Sequence, residues 1–492
     1  MPTRRQWFNA ALVSAFVVGA AIRLWQYALN PSLWMDEAFL ALNITERGFA
    51  QLAEPLAYNQ AAPVGFLFAE RAAFVQFGNN EYALRLFPLA CGLGALPLFW
   101  LVARRALSGP GLLVAVALFA LSPEVIFHAV EVKQYSGDVF AALVATWMGI
   151  RLWERTPPLV ESIVYGFLGA ALLWTSHAAA FALGGVALCL LISATVRRDG
   201  PRLLRLSPAL GLWLANVLVL YLLALRNLTH HSYLLGYWRT SFPPFPPRSA
   251  VEFAWYRDAF VRFFASPLGI DLNVTSGIAL VGGGLALAWL HRRMFWLLVA
   301  ALLVVGVASA LHQYPFAGRL LVFLVPAAII SLGAGVTTLW NDGRWVSRAA
   351  AVLLALALVA PQVAPVARNP ARGRSNHDLR PVLQQVAAQR LPGDKIHLYS
   401  MGWPAFTYYA KKFGLANVPL TVSPSRDEGQ ASLQANLQKL AGSGRVWIVF
   451  SHIAAAKQRQ DDRVFSLQVL DGIGRRLQGI EADGAWAYLY QL

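Results

Sequence analysis

Apolar runs long enough to cross a hydrocarbon core recur along this chain, and short arginine-bearing loops separate them. A core about 30 Å thick needs roughly 20 apolar residues in a helix. Backbone polar groups have no water there to satisfy them, so each run must fold as a helix. Trp7–Leu29 is the first run. The others are Leu84–Ala103, Gly111–Leu121, Gly137–Ile150, Leu159–Trp174, Ala178–Val196, Leu206–Leu225, Gly277–Leu290, Met294–Leu311, Leu320–Trp340 and Ala349–Val363. That predicts a mainly α polytopic membrane protein with about eleven transmembrane helices. Composition agrees: 57% of residues are hydrophobic and 13% are charged, against about 25% charged in a soluble protein.

Charge sets the orientation. Arg4 and Arg5 precede the first run, and Arg104-Arg105, Arg151, Arg197-Arg198, Arg292-Arg293 and Arg344 fall in every second connection. By the positive-inside pattern those connections and the N-terminus are cytoplasmic. The same pattern accounts for much of the net charge of +16, so nucleic acid is not an expected partner. No A-x-A-like cleavage site follows Leu29, and the first run is expected to be retained. Cys91 and Cys189 lie inside apolar runs and imply no disulfide framework.

The first outer connection is long and opens on Ser32-Leu33-Trp34-Met35-Asp36-Glu37. Within it, Glu37–Phe49 and Pro63–Phe77 read as helices lying in the interface. From about residue 368 the composition becomes that of a soluble α/β domain on the extracytoplasmic side. Leu379–Gln389 and Leu433–Leu440 read as helices, and Lys395–Ser400, Arg445–Ser451 and Trp486–Leu489 as strands. The expected domains are 1–367, transmembrane, and 368–492, soluble.

Polar side chains gather in the outer connections. Asp36 and Glu37 are adjacent acids at a membrane surface, costly there unless solvated or paired. Asp36 as an ordinary helix N-cap is the plain alternative. The next outer loop carries Glu131, Lys133, Tyr135 and Asp138. His177 sits in a tight break, and Tyr314 and Arg319 head a later run. Arg23, in the outer part of the first span, and Arg85, at the start of the second, are cations in need of partners. Cations and acids at one depth suit a lipid-linked phosphate, with cations on its oxygens and a carboxylate for proton transfer.

In order along the chain, Trp34-Met35-Asp36-Glu37-Ala38, Asn59-Gln60-Ala61-Ala62-Pro63, Ala83-Leu84-Arg85-Leu86-Phe87-Pro88, Glu131-Val132-Lys133-Gln134-Tyr135-Ser136 and Tyr314-Pro315-Phe316-Ala317-Gly318-Arg319-Leu320 resemble bacterial C-type glycosyltransferases. These polytopic enzymes are related to protein O-mannosyltransferases and to the aminoarabinose transferases of lipid A. The tail, with Arg380-Pro381-Val382-Leu383, Leu391-Pro392-Gly393-Asp394 and Phe406-Thr407-Tyr408-Tyr409, resembles the extracytoplasmic domain of a subset. Many relatives carry His-Pro-Pro where this chain has Asn59-Gln60-Ala61-Ala62-Pro63, so no histidine role is carried over there.

The resemblance implies a polyprenyl-phosphate sugar donor, an inverting transfer, and a lipid, glycan or protein acceptor at the bacterial cytoplasmic (inner) membrane. It makes Asp36 the general base, with Glu37 in support. Lys133, Arg319 and Arg85 hold the donor phosphate. Arg23, Gln60, Glu131, Tyr135, Asp138, His177 and Tyr314 line the substrate pocket. No cofactor is needed if cations neutralise the phosphate. The alternative is Mg²⁺ or Mn²⁺ shared by Asp36, Glu37, Glu131 and Asp138, with His177 as a further ligand. A transporter or flippase of a lipid-linked or anionic substrate also uses buried charges. The clustering at one face and the lack of an internal repeat argue against it.

Overall fold

The computed structural model describes residues 3–226, 232–271, 273–368, 377–424, 428–453 and 461–492. The chain forms two compact units. One joins Met1–Ala28 to Gly48–Pro370, the other Leu29–Arg47 to Ala371–Leu492.

The first unit is a helical membrane body. The apolar runs named above fall largely on the helices Arg4–Leu29, Leu86–Ala103, Gly109–Leu121, Tyr135–Glu154, Leu159–Thr175, Ala179–Val196, Gly200–Leu220, Val274–Leu290, Arg292–Ala310, Val325–Asn341 and Trp345–Arg368, with Leu320–Trp340 beginning in the 3-10 segment Gly318–Leu324 and Leu206–Leu225 ending in the π-helical turn Tyr221–Leu225. Among the described residues, 7 helices are long and apolar enough to cross a membrane, and three shorter ones are apolar as well. Their packing relies on close approach at small residues, as lipid tails supply no hydrophobic drive between helices. At Gly283 a Cβ would fall 1.8 Å from the carbonyl oxygen of Ser331. Helices Val274–Leu290 and Val325–Asn341 meet there at backbone distance. The central core stacks Phe99 on Phe119, ring centroids 4.3 Å apart.

Arg23 shows how this body treats a cation it cannot hydrate. Its side chain is 0% exposed. Nη1 donates to the Gly19 carbonyl at 2.8 Å and the Ala120 carbonyl at 3.0 Å, and Nη2 to Phe119 O at 3.4 Å. Phe119 and Ala120 lie in the last turn of Gly109–Leu121, whose carbonyls have no partner within their own helix.

The second unit is the α/β domain, built on a five-stranded sheet of order β2-β1-β3-β5-β4. The strands are β1 Lys395–Leu398, β2 Leu420–Val422, β3 Arg445–Ser451, β4 Arg475–Ala482 and β5 Ala485–Gln491. β1 runs parallel to β2 and β3, while β5 is antiparallel to β3 and β4. Val446, Ile448 and Phe450 of β3 pack with Tyr488 and Tyr490 of β5 against Leu433, Leu437 and Leu470. Trp447, on the opposite face of β3, is fully buried and donates its indole N–H to Asp394 at 3.1 Å.

The stretch Leu29–Arg47 belongs to this domain although the whole of Gly48–Pro370 separates it from the next part. Its helix, Met35–Glu46, starts two residues before the position expected from periodicity. Ala38, Leu40, Ala41, Leu42 and Ile44 are buried, and the helix lies on Trp403–Lys412. The Phe39 ring meets that of Trp403 at 6.3 Å. The division expected at 367/368 did not include this inserted stretch.

Candidate functional site

In the membrane body, three connections bring polar side chains together. Residues Tyr58 and Asn59 both take left-handed backbone conformations, φ 63° and 54°, uncommon for residues with a Cβ. This turn presents Gln60. The Gln60 amide donates to Tyr58 O at 3.2 Å, and its Oε1 accepts Lys133 Nζ at 2.8 Å. Lys133 is 5% exposed. An ammonium so buried requires hydrogen-bonded partners, and Gln60 supplies one.

Around Lys133 the loop is equally ordered. Glu131 Oε2 lies 2.7 Å from Nδ1 of His128. The His128 ring sits edge-on to Tyr135 at 5.0 Å. The guanidinium of Arg319 lies over the other residue of interest in that stack, 5.6 Å from the Tyr135 ring centroid, within cation–π range. Arg319 opens the 3-10 segment Gly318–Leu324. Tyr314 donates its hydroxyl to Leu320 O at 3.0 Å and packs on Phe181 at 4.7 Å, closing the turn that carries Arg319.

Asp138 is in the first turn of Tyr135–Glu154 and 3% exposed. Its Oδ1 accepts the Ser176 hydroxyl at 2.5 Å. His177, the neighbour singled out from sequence, is half-buried, and it is Ser176 that engages the acid. Arg85 is 1% exposed at the junction between Glu81–Leu84 and Leu86–Ala103. Arg23 bonds to backbone carbonyls as described, which is a structural duty rather than a pocket one.

The α/β domain holds the two adjacent acids. Trp34 is the N-cap residue of Met35–Glu46, so Asp36 is at the second helical position and Glu37 at the third. Asp36 is half-buried and Glu37 is 2% exposed. Glu37 Oε2 accepts the Trp34 N–H at 3.3 Å. The flanking amides go to side chains far along the chain. Leu33 N–H donates to the Tyr409 hydroxyl oxygen at 2.8 Å, and Met35 N–H to His452 Nε2 at 2.8 Å. Ser32 hydrogen-bonds the Asp378 carboxylate and accepts the Arg380 N–H at 3.0 Å. The Arg380 guanidinium donates to Asn30 O at 2.7 Å.

Among the described residues no three or more His, Cys, Asp or Glu side chains group as a metal site. Glu131 is engaged with His128, Asp138 with Ser176, and Glu37 with Trp34. Sequence reading missed His128, although its i,i+3 spacing to Glu131 was a usable signal. It also missed Ser176, Tyr409 and His452, for which sequence carries none.

The whole chain is similar to two crystal structures of ArnT from Cupriavidus metallidurans. The apo state aligns with a TM-score of 0.53 and 13% identity, over 99% of this chain and 98% of that one. The form bound to undecaprenyl phosphate aligns with a TM-score of 0.53 and 15% identity, over 100% and 99%. The chain therefore shares the fold of these two structures. No family model matches the chain, and no curated protein does.

Proposed function

We propose that the protein is a membrane glycosyltransferase. It moves a sugar from a polyprenyl-phosphate donor to a lipid, glycan or protein acceptor at the outer face of the bacterial cytoplasmic membrane. The observation that carries this reading is Lys133: a buried ammonium steadied by the neutral Gln60, in a loop followed by Tyr135 under the Arg319 guanidinium. Two cations in these connections suit an anionic ligand, whose oxygens accept charge-assisted hydrogen bonds. A fold likeness alone would not carry a function. The ArnT structure bound to undecaprenyl phosphate supports the same ligand class.

In this reading the acceptor oxygen attacks the anomeric carbon and inverts it. The bond from that carbon to the phosphate oxygen breaks, and its electron pair leaves with the polyprenyl phosphate. Lys133 and Arg319 stabilise the charge that develops there, with Arg85 in support. The acceptor proton passes to Asp36. No nucleotide sugar enters. The N-terminus and the arginine-bearing loops are cytoplasmic, and the α/β domain extracytoplasmic.

The test reconstitutes the purified protein in vesicles with radiolabelled undecaprenyl-phosphate sugars and envelope fractions as acceptors. Protein-dependent transfer of label to an acceptor is the expected result. Donor crossing the bilayer with no transfer would establish the flippase reading instead.

A further inference from the structure

The start of the Met35–Glu46 helix is held in an unusual way. Helix N-termini leave backbone N–H groups unpaired, and a nearby Ser, Thr, Asp or Asn commonly caps them. Here the N-cap is Trp34, and the local serine, Ser32, is engaged with Asp378 and Arg380. Two amides are accepted by residues 376 and 417 positions away. Tyr409, which receives the Leu33 N–H, is fully buried on the Trp403–Lys412 helix. His452, which receives the Met35 N–H, follows the end of β3.

His452 is itself tightly constrained. Its backbone is in the left-handed region at φ 60°, a conformation that persists only where surroundings enforce it. Its Nδ1 lies 2.8 Å from the Ser451 hydroxyl, and its ring stacks on His377 with centroids 4.2 Å apart. Because Nε2 accepts an N–H, the ring is neutral with its proton on Nδ1. Thus sheet, ring and amide form one rigid path from the domain core to the residue before Asp36.

We propose that the α/β domain is the mount of the acid pair, with His452 and Tyr409 as positioning residues that fix the backbone carrying Asp36. The proposal rests on Asp36 acting as the base. It gives the C-terminal domain a role within the transfer reaction itself. Small displacements of a catalytic group are expensive, with about 1 Å costing on the order of 100-fold.

The test uses the full-length protein in detergent. His452→Ala, His452→Gln, Tyr409→Phe and Asp36→Asn are compared by hydrogen exchange of the peptide covering 33–40 and by transfer from the radiolabelled undecaprenyl-phosphate sugars. His452→Ala should lose amide protection in that peptide and lower kcat by about ten- to hundred-fold with KM for donor unchanged. His452→Gln, whose amide oxygen can accept the same N–H, should restore both. Unchanged protection in His452→Ala overturns the proposal, as does lost protection with wild-type kcat. If His452→Ala also loses protection across β3 and β5, its domain has unfolded, and Tyr409→Phe decides by the same two criteria. Asp36→Asn separates the two readings. Should it keep full activity, the base assignment fails, whereas the hydrogen-exchange result still reports on the mount.

Discussion

Glu37 accepts the backbone N–H of Trp34 through Oε2 at 3.3 Å, and so closes the first turn of the helix that carries Asp36. This pairing separates the two acids by role. The N-cap position belongs to Trp34, which rules out the plain reading of Asp36 as a helix cap. Glu37 takes part in capping the helix, and Asp36, one residue earlier and half-buried, keeps the proposed part in proton transfer.

Asp36→Asn keeps the size of the side chain and removes the proton acceptor. Turnover should fall by about 10²–10⁴-fold, the usual contribution of a general base. Donor affinity should stay near wild type, because Asp36 is assigned to the acceptor and not to the donor phosphate. Transfer rates alongside a donor-binding titration provide the check.

Lys133→Ala and Arg319→Ala should weaken donor binding as well as turnover, since each removes a charge-assisted contact to phosphate. Gln60→Ala should show a milder form of the same defect, because Lys133 keeps its charge but loses the 2.8 Å bond that orients it. Equilibrium binding of undecaprenyl phosphate to the three variants distinguishes these outcomes.

Exhaustive chelation should leave transfer intact. Neutralisation of the phosphate is assigned to Lys133 and Arg319, and no metal set gathers among the described residues. Activity measured before and after chelator treatment, then after adding Mg²⁺ or Mn²⁺, tests this directly.

Arg23→Met should destabilise the membrane body without a specific effect on donor affinity. The substitution fills the space but leaves the carbonyls of Phe119 and Ala120 without their donor. A buried polar group left unpaired costs about 1–3 kcal/mol. A lowered melting temperature in detergent, with donor Kd unchanged in the folded fraction, is the expected pattern.

The α/β domain should lose stability as pH falls below about 6.5. Burial lowers the pKa of His452 to about 3, with His377 adding to the effect, and burial lowers that of His397 to about 4. His377 is lowered as well, again chiefly by burial. Each is depressed in the folded state, so the unfolded chain binds protons first and acid favours unfolding. The contribution is full above pH 6.5 and drains as pH falls through the folded values near 4 and 3. Denaturation of the full protein followed by tryptophan fluorescence between pH 7 and pH 4 should show the decline, and His397→Gln should flatten part of it.

The sequence alone determined the membrane body. Hydrocarbon imposes a strong filter, so runs such as Ala179–Val196 and Arg292–Ala310 had to be helices. It determined the buried strands too, as β3 and β5 are continuous apolar segments. It did not reveal β4, whose residues Arg475–Ala482 are largely exposed and polar, nor the three-residue edge strand β2. Motif order also marked Lys133, Arg319 and Asp36. What only tertiary structure decided is which groups those residues lean on. Gln60 reaches Lys133 across 73 positions, Ser176 reaches Asp138 across 38, and His452 reaches Met35 across 417. No local periodicity encodes such pairs, since they arise where separate elements pack. The same applies to Leu29–Arg47. Its apolar face reads from sequence as one that could lie on lipid, and packing gave it to the Trp403–Lys412 helix, because buried apolar area is favourable whichever apolar surface covers it.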